Sequence, residues 1–340
     1  MLCNNIPELI GNTPIVKIES LSRISGCDIF IKCENLNPGG SVKDRAALQM
    51  VKDAVASGEL KPGMSIIEGT AGNTGIGLAV VAAAMGFDMT VVMPEGQAIE
   101  KQRMVELYGA KLRLVPPTNF KDPNHFYHKA RSIAEQEPQK YWWANQFENL
   151  SNHKAHFCST GPEIFKQLSG KIDALISVAG TGGTIAGTSC FLKNQSASTH
   201  VRLVDPPGSG LASYLKTGAF TSEGSSITEG IGIMRLVANF AKAKVDDAIT
   251  LPDQDLILIA NHVRLEDGLL LGSSAALNVA GAFFTALQLG PGKRLVTFLC
   301  DLGERSYSKL YNPEFLKTKN LSAETNDIEL LKSKYKKMIS

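Results

Sequence analysis

A glycine-rich loop ending in a lysine is the first place where this sequence could carry covalent chemistry. Residues 35–45 read Asn-Leu-Asn-Pro-Gly-Gly-Ser-Val-Lys-Asp-Arg, and a helix-like pattern begins at Val42. Lys43 would then lie in the first helical turn, where the positive end of the helix dipole lowers the pKa of an amine. Such an amine is a nucleophile suited to a Schiff base. The alternative is a surface lysine that points into water.

A second loop could bind a carboxylate or a phosphate. Residues 68–77 read Glu-Gly-Thr-Ala-Gly-Asn-Thr-Gly-Ile-Gly and lie between a strand-like run and a small-residue helix. Thr70, Asn73 and Thr74 offer hydroxyl and amide groups beside the free N–H groups of a helix start. A plain strand-to-helix turn capped by Asn73 is the alternative.

The strongest phosphate signal is a third loop. Residues 177–187 read Ser-Val-Ala-Gly-Thr-Gly-Gly-Thr-Ile-Ala-Gly, directly after a strand-like run and before a helix. Consecutive N–H groups at a helix start bind phosphate, and the Thr181 and Thr184 hydroxyls would assist them.

Taken alone, this third loop also permits a dinucleotide-binding function. Asp205 ends the next strand, about 23 residues after Gly182, near the spacing expected for a residue that contacts a ribose hydroxyl. A nicotinamide oxidoreductase therefore stays open at this point. The mid-chain position of the loop disfavours it, and it gives Lys43 and Asn73 no role.

Composition and charge exclude other classes. Lys and Arg total 35 and Asp and Glu 33, so the net charge of +2 provides no general attraction for nucleic acid or an anionic membrane. The six cysteines include no CxxC pair, which disfavours a zinc site and agrees with a reduced cytoplasm. The His125/His128 and His153/His156 pairs lack further ligands at suitable spacing, so no metal site is predicted.

Alternating strands and helices must position these loops. Strands are predicted at 28–32, 65–68, 89–93, 111–115, 174–178, 201–204 and 294–299. Helices are predicted at 42–57, 73–85, 99–108, 128–137, 162–168, 184–192, 253–266 and 274–289, with a short tail helix from a cap at Asn326 to about 338. This alternation predicts an α/β protein with a largely parallel sheet covered by helices on both faces. Ligands should bind beyond the carboxyl ends of the strands, after Lys32, Glu68, Val178 and Leu299.

Seven distinctive segments follow one another over about residues 6–316. They are Gly-Asn-Thr-Pro at 11–14, Asn-Pro-Gly-Gly-Ser-Val-Lys-Asp-Arg at 37–45, Thr-Ala-Gly-Asn-Thr-Gly at 70–75, Asn-Gln-Phe-Glu-Asn at 145–149, Gly-Thr-Gly-Gly-Thr at 180–184, Glu-Gly-Ile-Gly at 229–232 and Gly-Ser-Ser at 272–274. The chain thus resembles the cysteine synthase/cystathionine β-synthase family of pyridoxal phosphate enzymes.

The resemblance implies the two-domain architecture of fold type II pyridoxal phosphate enzymes, similar to tryptophan synthase β. Each domain would be a mostly parallel sheet flanked by helices. Residues 1–38 and 142–316 would form the larger, cofactor-binding domain. Residues 39–141 would form a smaller mobile domain with the lysine and the carboxylate loop, and 317–340 would be a C-terminal tail.

The resemblance also implies roles for individual residues. Lys43 would carry pyridoxal phosphate as a Schiff base and then act as general base on the substrate. The cofactor would be held by Asn73 at its 3′-oxygen, by Ser274 at the pyridine nitrogen, and at its phosphate by Gly180, Thr181, Gly182, Gly183 and Thr184. The substrate would contact Thr70, Ala71, Gly72, Thr74, Gln146 and Gly230. Ala71 replaces a serine of many cysteine synthases, and Ser273 is an alternative to Ser274.

The implied activity is that of O-acetylserine sulfhydrylase, a transferase that makes L-cysteine from O-acetylserine and sulfide by β-elimination and replacement through an α-aminoacrylate. Cystathionine β-synthase chemistry on serine is the alternative within the family, and a catalytically silent relative is another. A cytoplasmic homodimer is implied, with serine acetyltransferase as a candidate partner and neither a membrane nor nucleic acid as one.

Overall fold

The computed structural model describes residues 2–324 and 327–340, which form two separate β-sheets. The strands are β1 (Ile15–Lys17), β2 (Asp28–Cys33), β3 (Ser65–Gly69), β4 (Asp88–Pro94), β5 (Lys111–Val115), β6 (Tyr141–Trp143), β7 (Ala174–Ser177), β8 (His200–Asp205), β9 (Asp247–Thr250) and β10 (Arg294–Leu299). One sheet has six strands in the order β1-β2-β10-β7-β8-β9, and the other has four in the order β5-β4-β3-β6. In the described chain, β1 is antiparallel to β2 and the other pairings are parallel.

Helices cover both sheets. They are α1 (Ile6–Leu9), α2 (Glu19–Ser25), α3 (Lys43–Ser57), α4 (Asn73–Met85), α5 (Ile99–Leu107), α6 (Phe126–Gln136), α7 (Ser151–Ala155), α8 (Gly161–Gln167), α9 (Gly183–Gln195), α10 (Leu211–Thr217), α11 (Asp253–Glu266), α12 (Ser273–Leu289), α13 (Pro313–Thr318) and α14 (Ile328–Ile339). The predicted elements are confirmed to within a few residues. The short strands β1, β6 and β9 and several short helices were not predicted.

Burial on both faces explains why the strands are continuously apolar. In β10, Leu295 and Leu299 pack into the core that holds α11 and α12, while Val296 and Phe298 face the opposite core, which holds α8 and α9. Such two-sided burial is characteristic of parallel sheets between helical layers. The α/β class with mostly parallel sheets is therefore confirmed.

The four-stranded sheet follows the same rule on a smaller scale. In β3, Ile66 packs toward α3 and α4, whereas the next residue, Ile67, packs toward α6. Because β3 and β7 are both parallel strands followed directly by helices, the starts of α4 and α9 lie at the carboxyl edges of their sheets.

The tail ends in a packed helix. Asp327 caps α14 through a hydrogen bond from Leu330 N, and Leu331 and Tyr335 are buried against α11 and α12. The predicted cap, Asn326, lies outside the described residues. Within the part of the chain that is described, no helix is both long and apolar enough to cross a bilayer.

Candidate active site

A cavity of about 360 Å³ opens where the carboxyl ends of the two sheets meet. The predicted residues that line it are Lys43, Thr70, Ala71, Gly72, Asn73, Thr74, Gln146, Gly180, Thr181, Gly182, Thr184, Gly230 and Ser274. Gly183 lies behind the wall, where a Cβ atom would overlap the Asn152 side chain. Segments more than 200 residues apart in sequence thus meet at one site.

Lys43 is the first residue of α3, and its side chain is partly exposed to the cavity. Burial lowers the pKa of Lys43 below its usual value; the Asp301 carboxylate opposes this effect and the Lys101 ammonium adds to it. No hydrogen bond or ion pair holds the Lys43 ammonium in the described residues. An amine of this kind is available to react with an aldehyde.

The 70–74 loop presents backbone donors to the same cavity. Gly72 N donates to Thr70 Oγ1 at 3.2 Å, which folds the loop back before α4 begins. Within the described residues, the N–H groups of Ala71, Asn73 and Thr74 donate to no acceptor. Free N–H groups at a helix start, reinforced by the helix dipole, form an anion site.

Gln146 joins the 70–74 loop to the end of β3 through hydrogen bonds. Its Oε1 accepts from Thr74 Oγ1 at 2.5 Å, and its Nε2 donates to Gly69 O at 3.0 Å and Glu68 Oε1 at 3.2 Å. Both amide hydrogens are therefore engaged, and the Thr74 hydroxyl is oriented. Burial raises the pKa of Glu68 to about 8, although the Gln146 backbone and side-chain N–H groups stabilise the carboxylate.

The 180–184 loop forms a second cradle. The N–H groups of Thr181, Gly182, Gly183 and Thr184 have no acceptor within residues 2–324 and 327–340. Gly182 has a φ of +84° and a Cβ there would lie 2.6 Å from Phe240 Cα, so only glycine is accommodated.

Two residues beneath the cradle orient its hydroxyls. Asn152 Nδ2 donates to Thr181 Oγ1 at 2.9 Å. The Nε2 atom of buried His156 is 3.2 Å from Thr184 Oγ1, and its Nδ1 is 2.9 Å from Thr160 Oγ1. Burial holds the pKa of His156 well below its usual value, so the ring is neutral.

Ser274 and Cys300 form the floor of the cavity. Ser274 lines it, whereas the neighbouring Ser273 does not, although both are buried. Burial raises the pKa of the Cys300 thiol to about 12, while Lys43 and Ser274 oppose the shift. Cys300 was not among the predicted site residues, although it directly follows β10, one of the strand ends singled out from the sequence.

Asn73 is tied to the larger sheet. Its Nδ2 donates to Asp301 Oδ2 at 2.7 Å, and its Oδ1 accepts from Arg305 Nη1 at 3.1 Å. Arg305 also donates to Gly39 O, in the loop that leads to Lys43. The amide thus has a fixed orientation and keeps one hydrogen for a ligand.

Glu229 closes one side of the cavity mouth. It accepts from Lys101 Nζ at 2.6 Å, from Lys309 Nζ at 2.5 Å and from Ala98 N at 3.2 Å. These contacts join the start of α5, the 229–232 loop and the segment after β10. The sequence analysis identified the 229–232 loop but not Lys101 or Lys309, because neither lysine lies within a recognisable motif.

The structure also bears on two ligands that the sequence disfavours, a dinucleotide and a metal ion. Asp205 Oδ2 accepts from Ala212 N at 2.8 Å at the start of α10, and Asp205 does not line the cavity. It therefore has a structural contact in place of the ribose contact considered from its spacing. Among the described residues, no three or more His, Cys, Asp or Glu side chains come together in a group that could hold a metal ion.

Comparisons with known proteins agree with this geometry. Residues 6–301 match the family model described as "Pyridoxal-phosphate dependent enzyme". Cysteine synthase 2 of Schizosaccharomyces pombe is 46% identical, with 94% of this chain and 86% of that protein covered. A putative mitochondrial cysteine synthase of Saccharomyces cerevisiae is 39% identical, with 90% and 83% covered. The crystal structure of an O-acetylserine dependent cystathionine beta-synthase from Helicobacter pylori superposes with a TM-score of 0.82 at 30% identity, covering 91% of this chain and 98% of that one.

The chain belongs to the pyridoxal-phosphate dependent enzymes, and its fold is fold type II. The residues present fit the cofactor. An amine of lowered pKa that is partly exposed to the cavity, a backbone cradle whose donors have no acceptor in the described residues and a neutral hydroxyl at the cavity floor match the aldehyde, phosphate and pyridine nitrogen of pyridoxal phosphate.

Proposed function

We propose that this protein is a cysteine synthase that forms L-cysteine from O-acetylserine and sulfide. The observation that carries the proposal is that Lys43 shares one cavity with two helix starts whose N–H groups find no acceptor in the described residues. One of these would bind the cofactor phosphate and the other the substrate carboxylate. The cysteine synthases described above, one of them 46% identical, support this choice of reaction.

The cofactor-binding roles follow from the cradle and the floor. Pyridoxal phosphate supplies an electron sink for charge that develops at the substrate α-carbon. Lys43 would hold its aldehyde carbon, residues 180–184 its phosphate and Asn73 its 3′-oxygen. Ser274, a neutral hydroxyl, would leave the pyridine nitrogen unprotonated and so favour elimination and replacement over transamination.

The substrate roles follow from the second helix start. The N–H groups of 71–74 and the Thr70 and Thr74 hydroxyls would bind the substrate carboxylate, with Gln146 orienting Thr74. Lys43 would take the α-proton. The Cβ–O bond then breaks and acetate leaves with its electron pair, after which the sulfur of HS⁻ forms the new Cβ–S bond and the α-proton is returned. Gly230 would contact the substrate at the cavity mouth.

We propose the same larger and smaller domains as above, with 39–141 moving to close the cavity. A homodimer, serine acetyltransferase as a partner and a cytoplasmic location belong to this proposal as well. Sedimentation analysis, co-purification with the acetyltransferase and cell fractionation test these three points, and recovery in mitochondria would contradict the last.

Borohydride reduction followed by peptide mapping tests the central claim. Reduction should fix the cofactor on the peptide that contains Lys43, and Lys43→Ala should abolish both the label and cysteine formation. Lys52→Ala, an exposed lysine on the same helix, is the control and should keep both. A label on another lysine would overturn the proposal.

A product assay separates the remaining activities. O-acetylserine, O-phosphoserine and serine are each supplied with sulfide and with homocysteine. Cysteine from O-acetylserine and sulfide is the expected main product. Cystathionine from serine would indicate the alternative family activity, and a colourless protein that enhances NADH fluorescence would indicate an oxidoreductase.

A further inference from the structure

The outer wall of the cavity carries polar groups that the proposed function does not use. We define the outer wall as Phe120, His125, Tyr127, Phe147 and Arg235, all of which line the cavity. The phosphate cradle and the carboxylate loop lie elsewhere in the same cavity. The wall therefore offers a separate place for a third group of the reacting molecules.

Arg235 is held so that part of its guanidinium stays free. Its Nη1 donates to Glu148 Oε1 at 2.5 Å, and Glu148 Oε2 accepts from Ala238 N at 2.8 Å. Both oxygens of the Glu148 carboxylate are therefore engaged, and neither accepts from Nη2. The guanidinium carbon lies 4.7 Å from the centre of the Phe120 ring and 5.1 Å from that of Tyr127. In the described chain, the buried Nη2 has no hydrogen-bond partner.

His125 adds a second donor. Its Nδ1 accepts from Tyr127 N at 3.3 Å, which leaves the ring proton on Nε2. Burial lowers the pKa of His125, and the charges of His128 and Arg235 lower it further, so the ring is neutral. Its ring centre is 5.3 Å from that of Phe120, which also stacks on Arg235. No acceptor contacts Nε2 in the described residues.

The charge available to an anion at this wall is that of Arg235, because the Glu148 carboxylate contacts it only through Nη1. Among the other described lining residues, Lys101 is paired with Glu229, and Lys43 is the amine proposed to hold the cofactor.

An anion would reach Nη2 by displacing rings of the outer wall. Phe120, in the irregular segment between β5 and α6, lies nearest the guanidinium carbon at 4.7 Å, with Tyr127 and Phe147 at 5.1 and 5.2 Å. A hydrogen bond from this guanidinium to an anion would be charge-assisted, and the partial burial of Arg235 would strengthen it.

We infer that Arg235 and His125 form a specificity-determining site for a carboxylate or phosphate carried by a reactant outside its amino-acid backbone. The inference rests on the proposed function and names the substrate class it prefers. The anion has two sources: the ester that leaves, as phosphate, or the thiol that enters, as a carboxylate-bearing thiol. Sulfide and acetyl esters lack such a group.

Two matched substrate pairs distinguish these sources. Mercaptoacetate is compared with mercaptoethanol, using O-acetylserine as the ester, and O-phosphoserine is compared with O-acetylserine, using sulfide. The wild-type enzyme should prefer the anionic member of at least one pair. Arg235→Met should reduce kcat/KM for that anionic member about 10- to 100-fold more than for its uncharged counterpart, mainly through KM.

Arg131→Met is the matched control, because Arg131 also pairs with a glutamate, at 2.7 Å, but is exposed on α6. His125→Phe serves as the second variant, since it keeps an aromatic ring and the Arg235–Glu148 pair while removing the Nε2 donor. It also removes the Nδ1 acceptor for Tyr127 N at the start of α6, so His125→Asn, which can restore that acceptor, is measured beside it. Both His125 variants should weaken the same preference by several fold. If the variants lose the preference for mercaptoacetate over mercaptoethanol, the anion that binds the outer wall belongs to the nucleophile. If they lose the preference for O-phosphoserine over O-acetylserine, it belongs to the leaving group.

Calorimetric titration of the holoenzyme with mercaptoacetate and mercaptoethanol provides a readout that needs no turnover. Tighter binding of mercaptoacetate that Arg235→Met removes supports the thiol source, even if the enzyme makes no cysteine and the proposed function fails. The inference is overturned if Arg235→Met and His125→Phe change both members of each pair equally and the titration shows no selectivity.

Discussion

The amide of Asn73 and the carboxylate of Asp301 form a hydrogen bond of 2.7 Å between Nδ2 and Oδ2. Asn73 begins the helix after β3 of the four-stranded sheet, and Asp301 follows β10 of the six-stranded sheet. One contact therefore connects the two sheets at the wall of the cavity. It also fixes the orientation of the side chain that we propose contacts the cofactor's 3′-oxygen.

Replacing Asp301 with alanine should loosen this connection. The Asn73 Nδ2 group would lose its acceptor in a partly buried position, which costs about 1–3 kcal/mol. We expect a lower urea midpoint for the apoenzyme and weaker binding of pyridoxal phosphate. Asp301→Asn keeps an acceptor oxygen and should recover most of the stability. Equal midpoints for the wild type and Asp301→Ala would show that the contact contributes nothing.

Gly182→Ala tests the phosphate cradle. A Cβ at Gly182 would meet the Phe240 backbone, whereas Gly218 has a similar φ of +79° and no atom within 4 Å in the described chain. Gly218→Ala should therefore cost only the backbone strain, about 1 kcal/mol. Gly182→Ala should destabilise the protein by about 1–3 kcal/mol more.

Cofactor titration completes that comparison. Gly182→Ala should raise the dissociation constant for pyridoxal phosphate, because the displaced loop no longer aims its N–H groups at the phosphate. Gly218→Ala should bind the cofactor like the wild type. Identical behaviour of the two variants would contradict the steric role of Gly182.

The sequence predicts a structural feature when the residues that define it lie within one short segment. Lys43, Asn73 and Thr181 lie in glycine-rich turns between a strand and a helix, and this local pattern is enough to predict where they lie. The alternating apolar runs predict a largely parallel sheet, whereas the division into a larger and a smaller domain comes only from the resemblance. The strand β6 was missed because its three residues, Tyr141–Trp143, are too short to show a period.

The outer wall could not be predicted, because its members come from separate segments that meet only in the fold. Arg235 contacts rings at 120, 127 and 147, which lie about 90 to 115 residues away in sequence. The histidine pattern near 125 suggested only a weak metal motif. In the structure the His125 ring instead packs edge-to-face on Phe120 and at a tilt against Phe126.

The raised pKa of Glu68 should make the stability of the folded protein depend on pH. Burial raises the pKa of Glu68 to about 8 from 4.5, so the folded state binds this proton more tightly than the unfolded state does. Stability should therefore fall as the pH rises from about 4.5 through 8. Glu68→Gln removes this loss and should be more stable than the wild type at pH 9, by about 1–4 kcal/mol.

Urea unfolding at a series of pH values measures this effect. The two proteins should converge near pH 4, where the carboxyl is protonated in both states. Glu106→Gln, on the exposed side of α5, controls for the change of side chain. A wild-type advantage that grows with pH would contradict the assignment.

For Glu229 we expect the opposite dependence of stability on pH. Burial raises its pKa, but Lys101 and Lys309 outweigh this effect, so the pKa of Glu229 lies below its usual 4.5. Its stabilising effect is complete above that value and disappears as the pH falls through the lowered pKa. Glu229→Gln leaves the buried Lys101 ammonium without a counter-charge and should cost about 2–4 kcal/mol at pH 7.

The difference between Glu229→Gln and the wild type should shrink as the pH is lowered below 4.5, which urea unfolding at each pH would measure. Glu137→Gln is the control, because Glu137 pairs with Lys140 at 2.9 Å while both side chains are at least half exposed. Exposed pairs contribute at most about 1 kcal/mol, so this variant should unfold almost like the wild type. Since Glu229 joins α5 to two loops of the larger sheet, its loss should also widen the cavity mouth. Faster proteolysis near residues 96–101 in Glu229→Gln, but not in Glu137→Gln, would measure that opening, and equal cleavage rates would rule it out.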